Sequence, residues 1–125
     1  MAKPTESEFN KLVADAITHH KAGRLGEAEA TYRAALGIFP GHPAVTHNLA
    51  VVAAAKGEHR SAIGYFDEVI AAEPRYASAH YNRAVALEAL GQSREAIQGF
   101  ARACALEPDQ PLIKEWVQRA KRGDV

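Results

Sequence analysis

The feature that most restricts how this chain can fold is a set of residues that recur every 34 positions. Glycines, prolines, aromatic residues and small residues all follow this interval, in three copies that fill most of the 125 residues. The six series are Gly23, Gly57 and Gly91; Pro40, Pro74 and Pro108; Ala28, Ala62 and Ala96; Tyr32, Phe66 and Phe100; Ala16, Ala50 and Ala84; and Ala35, Val69 and Ala103. Chance does not account for six series in one register, so the pattern predicts three copies of one structural unit.

Each series has a physical role, and together the roles predict two helices joined by a sharp turn. Glycine tolerates the left-handed conformation at which a helix stops and turns, because it has no Cβ atom. The alanine five residues later lets the second helix approach the first closely. The aromatic residue four positions further lies on the same helical face and fills the space between neighbouring pairs. Proline closes the unit because it cannot continue a helix.

The spacing of the apolar residues predicts an all-α fold, because they recur at intervals of three and four rather than two. Thr5 and Glu8 predict a capping box at the first helix, and Ser93 is expected to cap the sixth. Asp109, before Pro111, predicts the start of the seventh helix. The seven predicted helices span about 5–22, 25–38, 43–56, 59–72, 77–90, 93–106 and 110–121.

The order of glycine, alanine, aromatic residue, small residue and proline within 34 residues resembles the tetratricopeptide repeat. The chain departs from that family at the fourth position of each repeat, where a bulky aromatic is usual and Leu12, Thr46 and His80 stand here. The resemblance implies a right-handed α-solenoid of three helical hairpins and a capping helix, with seven helices in a single domain over residues 1–125. The implied repeats span 9–42, 43–76 and 77–110, and the capping helix spans 110–121.

The residues after the third repeat predict a helix that covers the open end of the stack. Apolar residues at helical spacing lie opposite Lys114, Gln118, Lys121 and Arg122. This apolar stripe consists of Leu112, Ile113, Trp116, Val117 and Ala120. We expect Trp116 to pack against the third repeat rather than to contact a ligand.

The resemblance also implies where a ligand would bind. Stacked hairpins form a superhelix whose inner wall is lined by the first helix of each pair, and in this family fixed positions of those helices face the groove. Carried over by position, the expected peptide-binding residues are Asn10, Val13 and Ile17; His47, Asn48 and Val51; and Ser78, Tyr81, Asn82, Val85 and Glu88.

Asn48 and Asn82 occupy the same position in consecutive repeats. A carboxamide offers both a donor and an acceptor, which complement a peptide unit, so the pair could hold an extended backbone as similar ladders do in the family. Alternatively, each asparagine ties neighbouring helices together. His47 is a further candidate groove contact, whose charge could tune binding near neutral pH.

Some tetratricopeptide domains bind acidic C-terminal tails through a clamp of lysines, an arginine and asparagines, and this chain lacks that clamp. Its cationic positions are Val13, Ser78 and Asn82 here. Its first asparagine position is Ile17, and only Asn48 matches. A terminal carboxylate would lose most of its charge-assisted hydrogen bonds, so the groove is expected to suit a neutral peptide or an amphipathic helix.

Composition argues against several other functions. Fifteen basic residues balance fifteen acidic ones, so no basic surplus is available for nucleic acid or an anionic membrane surface. No apolar run approaches the roughly 18 residues of a membrane span. No two histidines are four residues apart, and Cys104, expected to be a buried small hydrophobe, has no cysteine partner. We therefore expect no metal, no cofactor and no catalytic residues, in a cytoplasmic protein.

These observations favour a protein–protein interaction module that binds a peptide or a helix of a partner protein in its groove. One alternative is a self-assembling scaffold, in which the uncovered face of the first repeat docks on another copy of the chain. Another alternative is the interaction or targeting segment of a larger enzyme. The sequence does not name the partner, because similar repeats serve unrelated functions.

Overall fold

A computed structural model describes residues 5–123 of the chain, without the side chains of residues 112, 113, 117, 120 and 121. Over that range the structure is all helical, as predicted, and each helix begins and ends within one residue of its expected bounds. The helices are α1 (Glu6–Lys21), α2 (Leu25–Ile38), α3 (Pro43–Ala55), α4 (His59–Ala72), α5 (Ala77–Ala89), α6 (Ser93–Leu106) and α7 (Pro111–Lys121). Within residues 5–123, none of them combines the length and the apolar character that crossing a membrane requires.

The predicted glycine turns join the two helices of each hairpin. Gly23, Gly57 and Gly91 have φ values of 80°, 82° and 80°, in the left-handed region that only glycine adopts without strain. The Gly23 N–H donates to the His20 carbonyl at 3.0 Å, and the Arg24 N–H donates to the His19 carbonyl at 2.9 Å. This Schellman pattern recurs after α3 and α5. The same short turn therefore folds each hairpin back on itself.

The two predicted side-chain caps have different outcomes. Thr5 caps α1, because its Oγ1 accepts a hydrogen bond from the Glu8 N–H at 3.1 Å. The expected Ser93 cap is wrong: Gln92 precedes the helix, and no side chain caps it. The reason is the length of the turn, since a chain that leaves the left-handed Gly91 enters α6 after one residue and Ser93 is already helical.

The buried core residues recur at the same interval of 34 as the sequence pattern. In each hairpin, one repeated alanine from each helix and the aromatic residue of the second helix are buried, with exposures between 0% and 3%. Each helix packs on the next along the chain, α1 on α2 through to α6 on α7, and α3 also contacts α5. The buried residues are Ala16, Ala28 and Tyr32; Ala50, Ala62 and Phe66; and Ala84, Ala96 and Phe100. The hairpins thus stack one after another into an α-solenoid.

Helix α7 closes the described part of the stack. The Trp116 ring stacks on the Phe100 ring, with centroids 5.0 Å apart and planes 23° apart, beside Ala84 and Leu87. Trp116 therefore packs against the third hairpin, as expected. The other members of the predicted apolar stripe, Leu112, Ile113, Val117 and Ala120, lie outside the described side chains.

Helices α5 and α6 lie close together at Gly99. A methyl group at Gly99 would lie 3.0 Å from the Cβ of Ala84 and 3.4 Å from the carbonyl oxygen of His80. Nothing lies within 4 Å of the corresponding position at Gly64, in the middle of α4. Of these two helical glycines, only Gly99 gives a neighbouring helix the space to pack closely.

We expect opposite results from adding a methyl group at these two glycines. Gly64→Ala raises the free energy of unfolding by about 0.4–1 kcal/mol, because alanine restricts the unfolded chain and meets no neighbour in the fold. Gly99→Ala lowers it by about 1 kcal/mol, because overpacking against Ala84 outweighs the same gain. Urea unfolding of both variants checks this, and equal stabilisation by the two would contradict the close approach.

Candidate functional site

The first helices of the hairpins share a set of accessible positions, which is clearest in α3. In α3, seven of 13 residues are buried. Besides Pro43 and Ala54, the accessible ones are spaced by four, three and four residues, which places them on one side of a helix: Ala44, Asn48, Val51 and Ala55. The same positions are accessible in α1 and α5, where they are Asn10, Ala14, Ile17 and Lys21, and Ser78, Asn82, Val85 and Ala89. We call this surface the first-helix stripe.

Most of the residues predicted to bind a peptide lie on this stripe or at its edge, to different depths. Val85 is 46% exposed, which is high for a valine within a packed helix. The exposed members are Asn10, Val85 and Glu88, and the half-buried members are Val13, Ile17, Asn48, Val51, Ser78, Tyr81 and Asn82. Tyr81 also serves the core, since its ring packs edge-on against Phe100 with centroids 5.2 Å apart.

His47 differs from the other predicted residues because it lies inside the stack, with 9% of its surface exposed. Its ring centroid is 5.5 Å from that of Phe66 and 5.0 Å from that of Tyr76. Asn82 reaches it from α5, with Nδ2 at 3.2 Å from the His47 Nε2. Asn82 therefore ties α5 to α3, which is the structural role considered for it from the sequence.

Asn48 forms the second polar contact beneath the stripe. Burial raises the pKa of Tyr32, and hydrogen bonding to Asn48 partly offsets that rise. Burial lowers the pKa of His47, and hydrogen bonds to Asn48 and to the backbone of Ser78 partly offset that decrease. The two asparagines thus meet at His47 from different helices, so these polar side chains form one cluster rather than independent contacts.

The buried imidazole predicts a pH dependence of stability. The folded-state pKa of His47 is below its unfolded value of about 6.5, so the unfolded chain binds the extra proton first as pH falls. The stabilisation is complete above pH 6.5 and is lost as the pH falls towards the folded pKa, with a slope of at most about 1.4 kcal/mol per pH unit. We expect His47→Gln to show a smaller decrease in unfolding free energy between pH 7.5 and 5.5.

The other histidines contribute equally to the pH dependence of both proteins, because both proteins contain them. Equal slopes for wild type and His47→Gln in urea unfolding would show that His47 does not titrate differently in the folded state.

Sequence reasoning missed polar contacts that side chains of the second helices make with neighbouring segments. Glu29 accepts hydrogen bonds from Lys56 at 2.5 Å and from Arg33 at 3.1 Å, and these cations lower the pKa of Glu29. Arg33 also donates to the Tyr65 hydroxyl at 2.7 Å, and Arg83 pairs with Asp67 at 2.6 Å across α5 and α4. Only the Glu29 and Arg33 pair, four residues apart on one helix, carries a sequence signal.

The residues considered for chemistry do not gather into a site. Among the described residues, no group of three or more histidines, cysteines or carboxylates is placed to hold a metal ion. Cys104 is half-buried against Ala77, Tyr81 and Leu106 rather than fully buried as predicted, because it lies at the edge of the last hairpin.

Stacked helical hairpins with a common turn and a common core define a helical-repeat protein. A family model described as tetratricopeptide repeat matches residues 47–111. The chain therefore belongs to the tetratricopeptide repeat family, as its sequence pattern predicted. No curated protein sequence matches it.

Solved structures share this fold at low sequence identity. The first tetratricopeptide domain of Spaghetti, bound to the HSP90 peptide SRMEEVD, is 20% identical, with a TM-score of 0.85 and a match that covers 98% of each chain. PcrH in complex with the chaperone-binding region of PopB is 19% identical, with a TM-score of 0.84 over 98% of each chain. The Yersinia enterocolitica type III secretion chaperone SycD, in complex with a YopD peptide, is 18% identical, with a TM-score of 0.84 over 97% of this chain and 92% of that one.

Proposed function

We propose that the chain is a protein-interaction module that binds a peptide or a helix of a partner protein along the first-helix stripe. The observation that carries this proposal is the repetition of the stripe, because the packing of each hairpin leaves the same side of α1, α3 and α5 accessible. Aligned accessible positions on successive repeats are how solenoid proteins build an extended binding surface.

The chemistry of the stripe favours a ligand without strong charge. Its aliphatic members Ile17, Val51 and Val85 stand at the same position in three successive repeats. The described stripe residues of α3 and α5 include no cation. By contrast, the peptide bound by the Spaghetti domain, SRMEEVD, is acidic towards its end. Apolar contacts with the aliphatic row, together with hydrogen bonds from the asparagines, suit a neutral extended peptide or the apolar face of a helix.

The comparisons support binding as the class of function. The three structures named above are complexes with a peptide or a binding region of another protein. We infer binding without catalysis, in the cytoplasm, by a single domain that spans residues 1–125.

A second candidate, self-association, is favoured by Ile97. This residue is 48% exposed on α6. Ile63 holds the same position one repeat earlier, and there it packs against the core of the following hairpin. Although α7 follows the third hairpin, Ile97 remains exposed and is accessible for a helix of another copy.

One pair of matched variants tests both candidates. Val85→Glu and Ile97→Glu each place a carboxylate at an aliphatic position that is about half exposed, the first on the stripe and the second away from it. We expect tagged wild type and Ile97→Glu to capture the same partner from a lysate of the source cell, and Val85→Glu to retain at most about a tenth, because binding would bury an unpaired charge.

Thermal unfolding of both variants controls for misfolding. Loss of the partner with Ile97→Glu alone would contradict binding on the stripe. A molar mass above that of the monomer in light scattering, reduced by Ile97→Glu, would support self-association instead.

A further inference from the structure

We propose that His47 is a positioning residue that sets which end of the Asn82 carboxamide faces a ligand, the oxygen when the imidazole is neutral and the NH₂ group when it is protonated. The inference rests on the proposed function, because it describes how the first-helix stripe would present hydrogen-bonding groups. The protonation state of a buried histidine would therefore determine whether Asn82 presents a hydrogen-bond donor or an acceptor on the stripe.

The atoms that meet between the two side chains indicate the role of each. The Asn82 Nδ2 lies 3.2 Å from the His47 Nε2. An amide nitrogen can only donate, so Nε2 accepts with its lone pair. A neutral imidazole carries a single N–H, which is therefore on Nδ1. Hydrogen bonds to Asn48 and to the backbone of Ser78 favour the protonated ring.

With its nitrogen engaged below, the Asn82 carboxamide turns its oxygen outward. None of the hydrogen bonds among the described residues reaches the Asn82 Oδ1. That oxygen is also not among the buried unpaired atoms of the described residues, which agrees with its facing the stripe. Asn82 stands on the first-helix stripe between Ser78 and Val85. In this state the stripe presents an acceptor, which suits a peptide N–H.

The imidazole is held so that its protonation, and not its rotation, decides this arrangement. The rings of Phe66, from α4, and Tyr76, from the segment before α5, pack against it. The titratable groups around the cluster are Tyr76 itself and Tyr32, which reaches it through Asn48, and burial raises the pKa of both. Glu73 acts on Tyr76 and not on the imidazole. Within the described residues, no charged side chain shifts the pKa of His47.

Protonation reverses the polarity of the contact. A protonated imidazole has an N–H at Nε2, and this group cannot face the Asn82 NH₂ group. Rotation of the carboxamide by half a turn lets Oδ1 accept a charge-assisted hydrogen bond from Nε2. The NH₂ group then faces the stripe and suits a peptide carbonyl. The same surface would therefore exchange its acceptor for a donor in acid.

Nuclear magnetic resonance of the 125-residue chain without any ligand tests this inference. We expect the His47 ring at pH 8 to carry its proton on Nδ1, shown by ¹⁵N–¹H correlations of the ring. On acidification, the side-chain amide resonances of Asn82 should shift with the same midpoint as the His47 ring. The exposed amide of Asn10 is the matched control, and we expect no shift there at that midpoint.

Two results would overturn the inference: a proton on Nε2 at pH 8, or Asn82 amide resonances that do not follow the His47 titration. In the variant His47→Gln the Asn82 transition should disappear, which separates the effect of the ring from general effects of pH. Because no ligand is present, failure here leaves the proposed function to be decided by the Val85→Glu capture alone.

Discussion

The contact on which the rest of this structure depends is the close approach of the two helices within each hairpin. It is made by buried alanines, such as Ala50 on α3 and Ala62 on α4, with an aromatic ring, Phe66, four residues beyond the second alanine. A larger residue at either alanine would separate the helices, and a smaller one at the aromatic position would leave a cavity. Because the glycine turn before each second helix also repeats, every hairpin has nearly the same shape and offers the same surfaces to its neighbours.

The accessible surface of the first helices is a consequence of that packing. Helices α3 and α5 are each covered by their own partner helix and by the preceding hairpin, whereas α1 packs on α2, and the same positions are accessible in all three. Side chains at these positions differ in how firmly they are held. The Val85 side chain is about half exposed. The Asn82 side chain forms a hydrogen bond with the buried His47, and this bond connects the stripe to the interior. A polar group anchored in this way loses less freedom when a ligand binds than a freely rotating one does.

Local and periodic features of the fold could be predicted from the sequence. The 34-residue interval located the six helices of the hairpins, because the glycine conformation and the alanine contact depend on residues near in sequence, and the apolar stripe after the third repeat located α7. The environment of His47 could not be predicted, because the repeat pattern does not specify how its ring meets Phe66, Tyr76 and, from the next repeat, Asn82. The same limit applies to the contact between Glu29 and Lys56, which are 27 residues apart. The identity of a partner depends on the few side chains of the stripe, on which the repeat pattern places no constraint.

Site-specific photo-cross-linking tests the central claim most directly. A benzophenone amino acid would replace either Ala44, exposed on the stripe, or Ala71, exposed on the second helix of the same hairpin. Both proteins would be irradiated with the partner that wild type captures. The account predicts a covalent adduct of the partner from position 44 and none from position 71. An adduct from position 71 alone would contradict it, because the partner would then bind the opposite side of the solenoid.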